Sequence, residues 1–440
     1  MTTAGSSQGA GGLASLDDVF NQITSTSSPG SLHHYLKSFA PKEVRDTILA
    51  STLSSGQDPL AILDPQRNTL GFLYILSARL HSVSAQTPPL HVIENFCSQF
   101  DPEQARLAPE RVTLLAKGIV RASESSNNAK YALAPLYNLL TRYPPHLSYL
   151  TTLHAIFLKT CVSTGHFTFA LPILAVPITA VDTSISDLHY NDNLVYHYSG
   201  GVALGALKRW REAEEFFEIC VSAPAQVPAA IQLEAYKKLA LVQLIQYGET
   251  KPPPKYSHPA LSRMLKNSIY GAFAKMYPAQ TSALRTFVTK EQEHFAQERN
   301  MGLINQAIDR APVWLIKKLT ATYLTLGLGD IGKEVGIESE DEVRAIILNM
   351  IDAGEINASI SADNTVTFAD VVPKFSKEDL DRVVVQAQEH NRVLQEVERA
   401  VNASKEYLTK AMKNKDDGNW GLEEDMFPPG MGGGTTWAED

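Results

Sequence analysis

Residues 313–368, VWLIKKLTATYLTLGLGDIGKEVGIESEDEVRAIILNMIDAGEINASISADNTVTF, decide the fold of this chain. Residues 313–326 carry Leu315, Leu319, Tyr323 and Leu326 at helical spacing, which predicts a first helix. Leu328, Ile331 and Val335 mark a short second helix, stopped by Gly336. Ser339 with Glu342 three residues on has the form of a capping box, in which each side chain satisfies the other's free amide. Behind it Val343, Ile346, Ile347, Met350 and Ile351 make one apolar stripe, and Gly354 stands where a left-handed C-cap belongs. Ile356, Ala358 and Ile360 alternate with polar residues, Ala362-Asp363-Asn364 turns, and Val366 and Phe368 alternate again. Three helices followed by a hairpin predict a winged helix.

The third helix is not built for nucleic acid, which leaves the wing to packing or to protein contact. A helix entering the major groove needs cations for phosphates and donors for base edges. Residues 337–355 hold Glu338, Glu340, Asp341, Glu342, Asp352 and Glu355 against the single base Arg344, a balance that repels a polyanion. That disfavours a winged-helix nucleic-acid-binding regulator. An unpaired strand edge is instead a template for another chain's strand. The hairpin residues Ile356, Ala358, Ser359, Ile360, Val366 and Phe368 are therefore a candidate partner interface. Within it, the Ser359 amide is a ladder donor for the partner if it points outward.

Upstream, residues 16–311 read as an all-α helical repeat array. Residues 70–80 and 111–120 have the look of buried helices, and units follow at 131–140, 147–174 and 194–222. In the last unit Gly201, Ala213, Phe217 and Cys220 fall where a tetratricopeptide-like repeat places its small, small, aromatic and small residues. Ala170 precedes Ala213 by 43 residues in a similar setting. Each helix pair leaves an apolar face that only the next pair can bury. Residues 231–246 continue the array, Lys251-Pro-Pro-Pro-Lys255 forces an extended turn, and 261–277 and 287–311 resume helically.

Downstream, residues 375–412 read as one long helix. Leu380, Ala387, Leu394, Val401 and Leu408 recur every seven residues, with Val383 and Val397 at companion positions. His390 and Ser404 interrupt that second seam, which favours one strand of a mixed bundle over a strict two-stranded coil. Leu380, Ala387, Leu394, Val397, Val401 and Leu408 form a second candidate interface. Residues 416–440 carry seven acids and no bases among Gly and Pro, and 1–15 are mostly Gly, Ser, Ala and Thr. Both ends are expected to be disordered, the first as a leader without signal-peptide character.

A net charge of −9 suits protein partners and gives no global attraction to nucleic acid or anionic membrane. No stretch approaches ~18 uninterrupted apolar residues, so no span is expected. Cys97, Cys161 and Cys220 are far apart and odd in number, which points to reduced thiols in cytoplasm or nucleus.

No chemistry assembles. Gly327, Gly329 and Gly332 match G-x-G-x-x-G, but a phosphate loop needs a strand just before it, and the preceding residues have helical period. Ser199 in His197-Tyr-Ser199-Gly200-Gly201 lacks the leading glycine of a nucleophile elbow. His33 and His34 are adjacent and point apart on a helix. The expectation is no catalytic residue, no metal and no cofactor.

Array, winged helix and long terminal helix together resemble the PCI-domain family, shared by the proteasome lid, the COP-9 signalosome and eukaryotic initiation factor three. Within it the resemblance is to the third-subunit branch of the signalosome. It is carried by Leu233-Glu-Ala-Tyr-Lys-Lys238, Pro254-Lys-Tyr256, Asn300-Met-Gly-Leu303, Tyr323-Leu-Thr-Leu326, Met350-Ile-Asp-Ala-Gly-Glu-Ile356 and Ala358-Ser-Ile360. It covers residues 134–368; the glycine cluster at 327–332 and the acidic tail depart from it. The resemblance implies a non-catalytic scaffold that supports removal of Nedd8 from cullin-RING ubiquitin ligases. It implies other PCI subunits as partners, by analogy subunits one and eight, joined through winged-helix sheets and a bundle of C-terminal helices. A scaffold of the proteasome lid or of the initiation factor is the rival membership.

Overall fold

The computed structural model describes residues 15–82, 87–254, 256–279, 281–369, 376–405, 407–409 and 412. The expectations for residues 1–14 and for the tail 416–440 lie outside these. Residues 1–368 form one compact unit and 369–440 a second.

The first unit begins with helices that bury themselves by stacking. Helix Thr69–His81 is mostly apolar, and every residue from Thr69 to Leu80 is buried, with Arg79 paired to Asp58, as befits the centre of a helical layer. Pro109–Ser125 packs against it. From there Thr152–Thr164, Tyr190–Ala206, Trp210–Ser222 and Ala230–Tyr247 each pack on the next. The repeat signature has a steric cause. A Cβ on Gly201 would lie 2.7 Å from the Phe217 ring, so the small residue is what lets the helix pair close. Ala170, Ala213, Phe217 and Cys220 are all buried. Two short parallel strands, β1 (Tyr149–Leu150) and β2 (Ala180–Val181), clip a loop to the array.

The array ends on helix Met301–Thr320, which serves two cores at once. Ile304, Ala307 and Ala311 lie in the array's core, and Ile316 lies in that of the next module. Pro312 stands between them. That next module is the expected winged helix, with helices Leu328–Val335 and Glu340–Asp352. Ser339 Oγ accepts the Glu342 N–H at 3.4 Å. Glu355 N–H donates to Met350 O (2.8 Å) and Gly354 N–H to Ile351 O (2.9 Å), with Gly354 at φ +67°, a Schellman end.

Two expectations about boundaries are corrected. The first helix stops at Thr320, and Thr325–Gly327 is a strand, β3, antiparallel to β5 (Thr365–Ala369). Leu326 continues the apolar period in sequence, but Thr320, Thr322 and Thr325 are β-branched, and a strand partner at Val366 outweighs the weak helical preference. The sheet accordingly has three strands in the order β3-β5-β4, with β4 at Asn357–Ile360. In the second unit the long helix runs Lys377–Ala403 and breaks at Ser404, whose backbone is extended. Ser404 Oγ then accepts the Tyr407 N–H (3.2 Å), so the serine side chain offers the chain a cap in place of a continued helix.

Helix Ala230–Tyr247 ends on Gly248 at φ +79°, and a Cβ there would lie 2.8 Å from the Trp314 ring. Changing Gly248→Ala should cost about 2–4 kcal/mol, adding the left-handed penalty to the overpacking one. Urea unfolding checks this: a clearly lower midpoint is expected, and an unchanged midpoint would show that the indole has room to move.

Candidate partner interface

The winged helix is held to the array by one indole and one carboxylate. Trp314 Nε1 donates to Ile245 O (3.2 Å). Arg310 and Lys317 lie 5.7 and 4.4 Å from its ring. Both cations then reach Glu355, just past the third helix: Arg310 donates to Oε1 at 2.6 Å, and Lys317 Nζ pairs with Oε2 at 3.1 Å without hydrogen-bond alignment. Burial pushes the Glu355 carboxyl up, but the Arg310 hydrogen bond and the Lys317 ammonium outweigh it and hold it below the usual range. A lowered folded value means this contribution is present above the unfolded value of ~4.3 and is lost as pH falls through the folded one.

The module's core comprises Ile316, Leu328, Ile331, Val335, Val343, Ile347, Met350, Ile356, Val366 and Phe368. The structure therefore divides the hairpin residues. Ile356, Val366 and Phe368 are buried in the chain's own core and hold the sheet in place. Ala358 and Ile360 are half-buried against it, and Ser359 is exposed. Strand β5 is central, so β4 is a free edge of the sheet.

Which amides that edge offers follows from the ladder. Ser361 N–H donates to Thr365 O (2.8 Å) across the turn, while Phe368 N–H turns the other way to Leu324 O (2.8 Å). Antiparallel donors alternate every two residues. The Ser359 amide, two residues from Ser361, thus faces β5, and the amides of Ala358 and Ile360 face outward. Ser359, expected as a ladder donor only if its amide pointed outward, therefore offers none to a partner.

The wing tip is pinned to the third helix. Asn364, at φ +62°, accepts from Arg344 and donates to Glu340 Oε2 at 3.1 Å. The lone base of that helix is thus engaged inside the chain.

The glycine cluster needs a correction of premise. A strand does precede the glycines, since β3 ends at Gly327. Yet the helix starts at once on Leu328, whose N–H is taken by Asn364 O (2.9 Å). Gly332 has its Cα against Ile337 O, where a Cβ would come within 2.6 Å, so it serves close packing. Ser199 and His197 are buried in helix Tyr190–Ala206, with His197 Nδ1 3.0 Å from Asn193 O. His33 Nδ1 faces Tyr74 OH at 3.5 Å, and His34 is exposed. Among the described residues no three His, Cys, Asp or Glu side chains converge in a metal-binding group. Burial pushes the Cys161 and Cys220 thiols up to about 12 and raises Cys97 as well, so all three are inert packing residues.

Among the described residues the terminal helix Lys377–Ala403 buries none of its side chains. Leu380, Leu394, Val397 and Val401 are 54, 65, 53 and 49 % exposed, Ala387 is exposed, and Leu408 past the break is 49 % exposed. Its fold signal is local: Ser376 and Asp379 form a capping box, and Arg392 bridges Glu389 and Glu396.

One buried polar network was not foreseen, although Glu234, Lys237, Lys238 and Asn300 in it lie in segments that carry the resemblance. Lys238 Nζ donates to Asn300 Oδ1, Asn300 Nδ2 donates to Tyr270 OH (2.6 Å), and Tyr270 OH donates to Glu298 Oε2 (2.7 Å). Lys237 donates to Glu298 Oε1 (2.7 Å) and Glu234 Oε1 (2.6 Å). The cluster ties helix Ala230–Tyr247 to the start of helix Met301–Thr320. Burial lowers Lys238 to about 8. Adjacent lysines running straight into the apolar stretch 239–242 were the available sequence signal.

With the geometry in place, the comparisons are decisive. The family described as COP9 signalosome complex subunit 3, N-terminal helical repeats, matches residues 33–261, and the PCI domain matches 282–369. A Drosophila melanogaster protein named COP9 signalosome complex subunit 3 is 30 % identical over 438 residues, covering 92 % of this chain and 96 % of its own.

The chain belongs to the COP9 signalosome subunit 3 family.

A second member, from Dictyostelium discoideum, is 30 % identical over 381 residues, covering 83 % of this chain and 90 % of its own. The PCI match spans the shared helix and the winged helix, so the family's two parts meet in this chain at the Trp314 contact.

Asn300→Ala strips Lys238 of its acceptor and should cost about 3 kcal/mol at neutral pH. Since Lys238 is already lowered to about 8 in the fold, against ~10.4 unfolded, stability from this group rises between those values. The variant lowers Lys238 further, so its deficit in thermal unfolding should shrink from pH 7 to pH 9.5. A deficit independent of pH would mean that Lys238 is not the group left stranded.

Proposed function

We propose that the chain is a non-catalytic scaffold subunit of the COP9 signalosome, working in cytoplasm and nucleus. In that role it supports removal of Nedd8 from cullin-RING ligases by a catalytic centre carried on another subunit. The observation that carries this reading is a match running through both array and winged helix to relatives named as that subunit. Its direct partners would be other PCI subunits, with subunits one and eight as the neighbours. The free edge of β4 suits strand addition, and the exposed seam of helix Lys377–Ala403 suits a bundle with other C-terminal helices. The acids around Arg344, which is itself held by Asn364, speak against a nucleic-acid role.

Two substitutions separate the edges of β4. Ala358→Pro removes an outward amide and should reduce co-purification of the neighbouring subunit, while far-ultraviolet circular dichroism stays as in the wild type. Ser359→Pro removes an inward ladder bond and should lower the unfolding midpoint of the chain itself. If Ala358→Pro assembles normally, partners dock elsewhere.

The seam is tested by Leu394→Asp with Val401→Asp. Each buried aliphatic contributes about 1.5–3 kcal/mol, so the pair should exceed what a shared bundle tolerates. The variant should stay folded and soluble and leave the assembled complex on size exclusion. A chain truncated after residue 370 that still assembles would end the bundle proposal.

A further inference from the structure

The array holds a groove that the scaffold reading does not use. It has a volume of about 890 Å³ and lies between the loop after helix Pro29–Ser38 and the start of helix Pro109–Ser125. Lys37, Lys42 and Arg45 line one wall and Arg106 and Arg111 the other, with Glu110 the one acid among the described lining residues. In a chain of net charge −9 these cations still outnumber Glu110 together with Asp46 and Glu103, the acids that pair with Arg111 and Arg106. Phe39, Tyr74 and Leu107 interleave with the cations.

The guanidinium groups are only partly satisfied. Arg111 is 94 % buried at its side chain (6 % exposed), lies 4.6 Å over the Tyr74 ring and pairs through Nη2 with Asp46, yet its Nη1 has no partner. Arg45 Nη1 donates to Lys37 O (2.6 Å), and Asp46 lies 3.9 Å from its Nε, too far for a hydrogen bond, so Nε is unpartnered as well. Both unpartnered nitrogens are sealed from solvent, so they leave positive charge beneath the groove surface and make no contact in it. Lys37 and Lys42 are exposed at the rim.

We propose that this groove docks an acidic peptide segment of a partner protein, one carrying carboxylates around an apolar side chain. Carboxylates would meet Lys37 and Lys42 at the rim, with the buried Arg45 and Arg111 guanidiniums adding positive potential from beneath. The apolar side chain would lie on Phe39 and Leu107. A compact phosphate site is the weaker fit, because the guanidinium forks are already committed: Arg106 donates to Tyr143 O (2.8 Å) and Glu103 (2.5 Å), and Arg111 is bound to Asp46. What remains is a spread of positive charge with apolar surface between, which suits an extended chain.

The test is fluorescence anisotropy of a labelled peptide of alternating glutamate and aspartate around one phenylalanine, titrated with the full chain at low salt. Saturable binding that weakens with salt is expected. Lys37→Glu with Lys42→Glu should weaken it by at least about tenfold, since both exposed charges are reversed. Lys159→Glu, exposed on helix Thr152–Thr164, changes net charge by the same step per residue and should leave binding intact. The proposal is overturned if the wild-type chain does not bind the peptide or if the double variant binds as tightly. It is equally overturned if Lys159→Glu loses as much affinity, or if inorganic phosphate or a uridine oligomer displaces the peptide at equal charge concentration.

Discussion

Everything about the array's end turns on one helix that belongs to two cores. Met301–Thr320 gives Ile304, Ala307 and Ala311 to the array and Ile316 to the winged helix, with Pro312 at the changeover. A rigid element shared in this way fixes the sheet's orientation to the repeats without a flexible linker. Trp314 and Glu355 lock the arrangement from the side, through Ile245 O, Arg310 and Lys317. The free strand edge is consequently presented at a set angle to the repeats.

The two buried polar ties are not the source of that stability in any simple sense. Desolvating Lys238 and Glu355 works against each of them, and apolar substitutes of equal shape can be as stable. Their effect is on register. Lys238 accepts only a packing that brings Asn300 to it, and Glu355 only one that brings Arg310 and Lys317 together. Apolar faces fix that the helices stack, and these polar contacts select how.

The winged helix could be read from sequence because its signals are local. The stripe from Val343 to Ile351, the Ser339 cap and the Gly354 end each need only a few neighbouring residues. Strand β3 could not, since Leu326 keeps the helical period of Leu315 and Leu319, and its extended state depends on Val366, 40 residues away. The break at Ser404 was marked only by a serine in the seam. Hairpin residues were identified as a set, but periodicity does not tell core from edge: Ile356, Val366 and Phe368 turned out to be structural, with Ala358 and Ile360 holding the outward amides. Lys238 was hidden for the opposite reason, because a long-range partner, Asn300, is what makes a buried lysine tolerable.

The central claim is that this chain meets its neighbours through the β4 edge and the terminal helix. Amide hydrogen exchange on the isolated chain and on the assembled complex tests it most directly, residue by residue. The account predicts that Ala358, Ile360 and residues 380–401 exchange fast in the isolated chain and become protected on assembly. Protection that appears only within residues 16–300, with the β4 amides and the helix still exchanging freely, would contradict it.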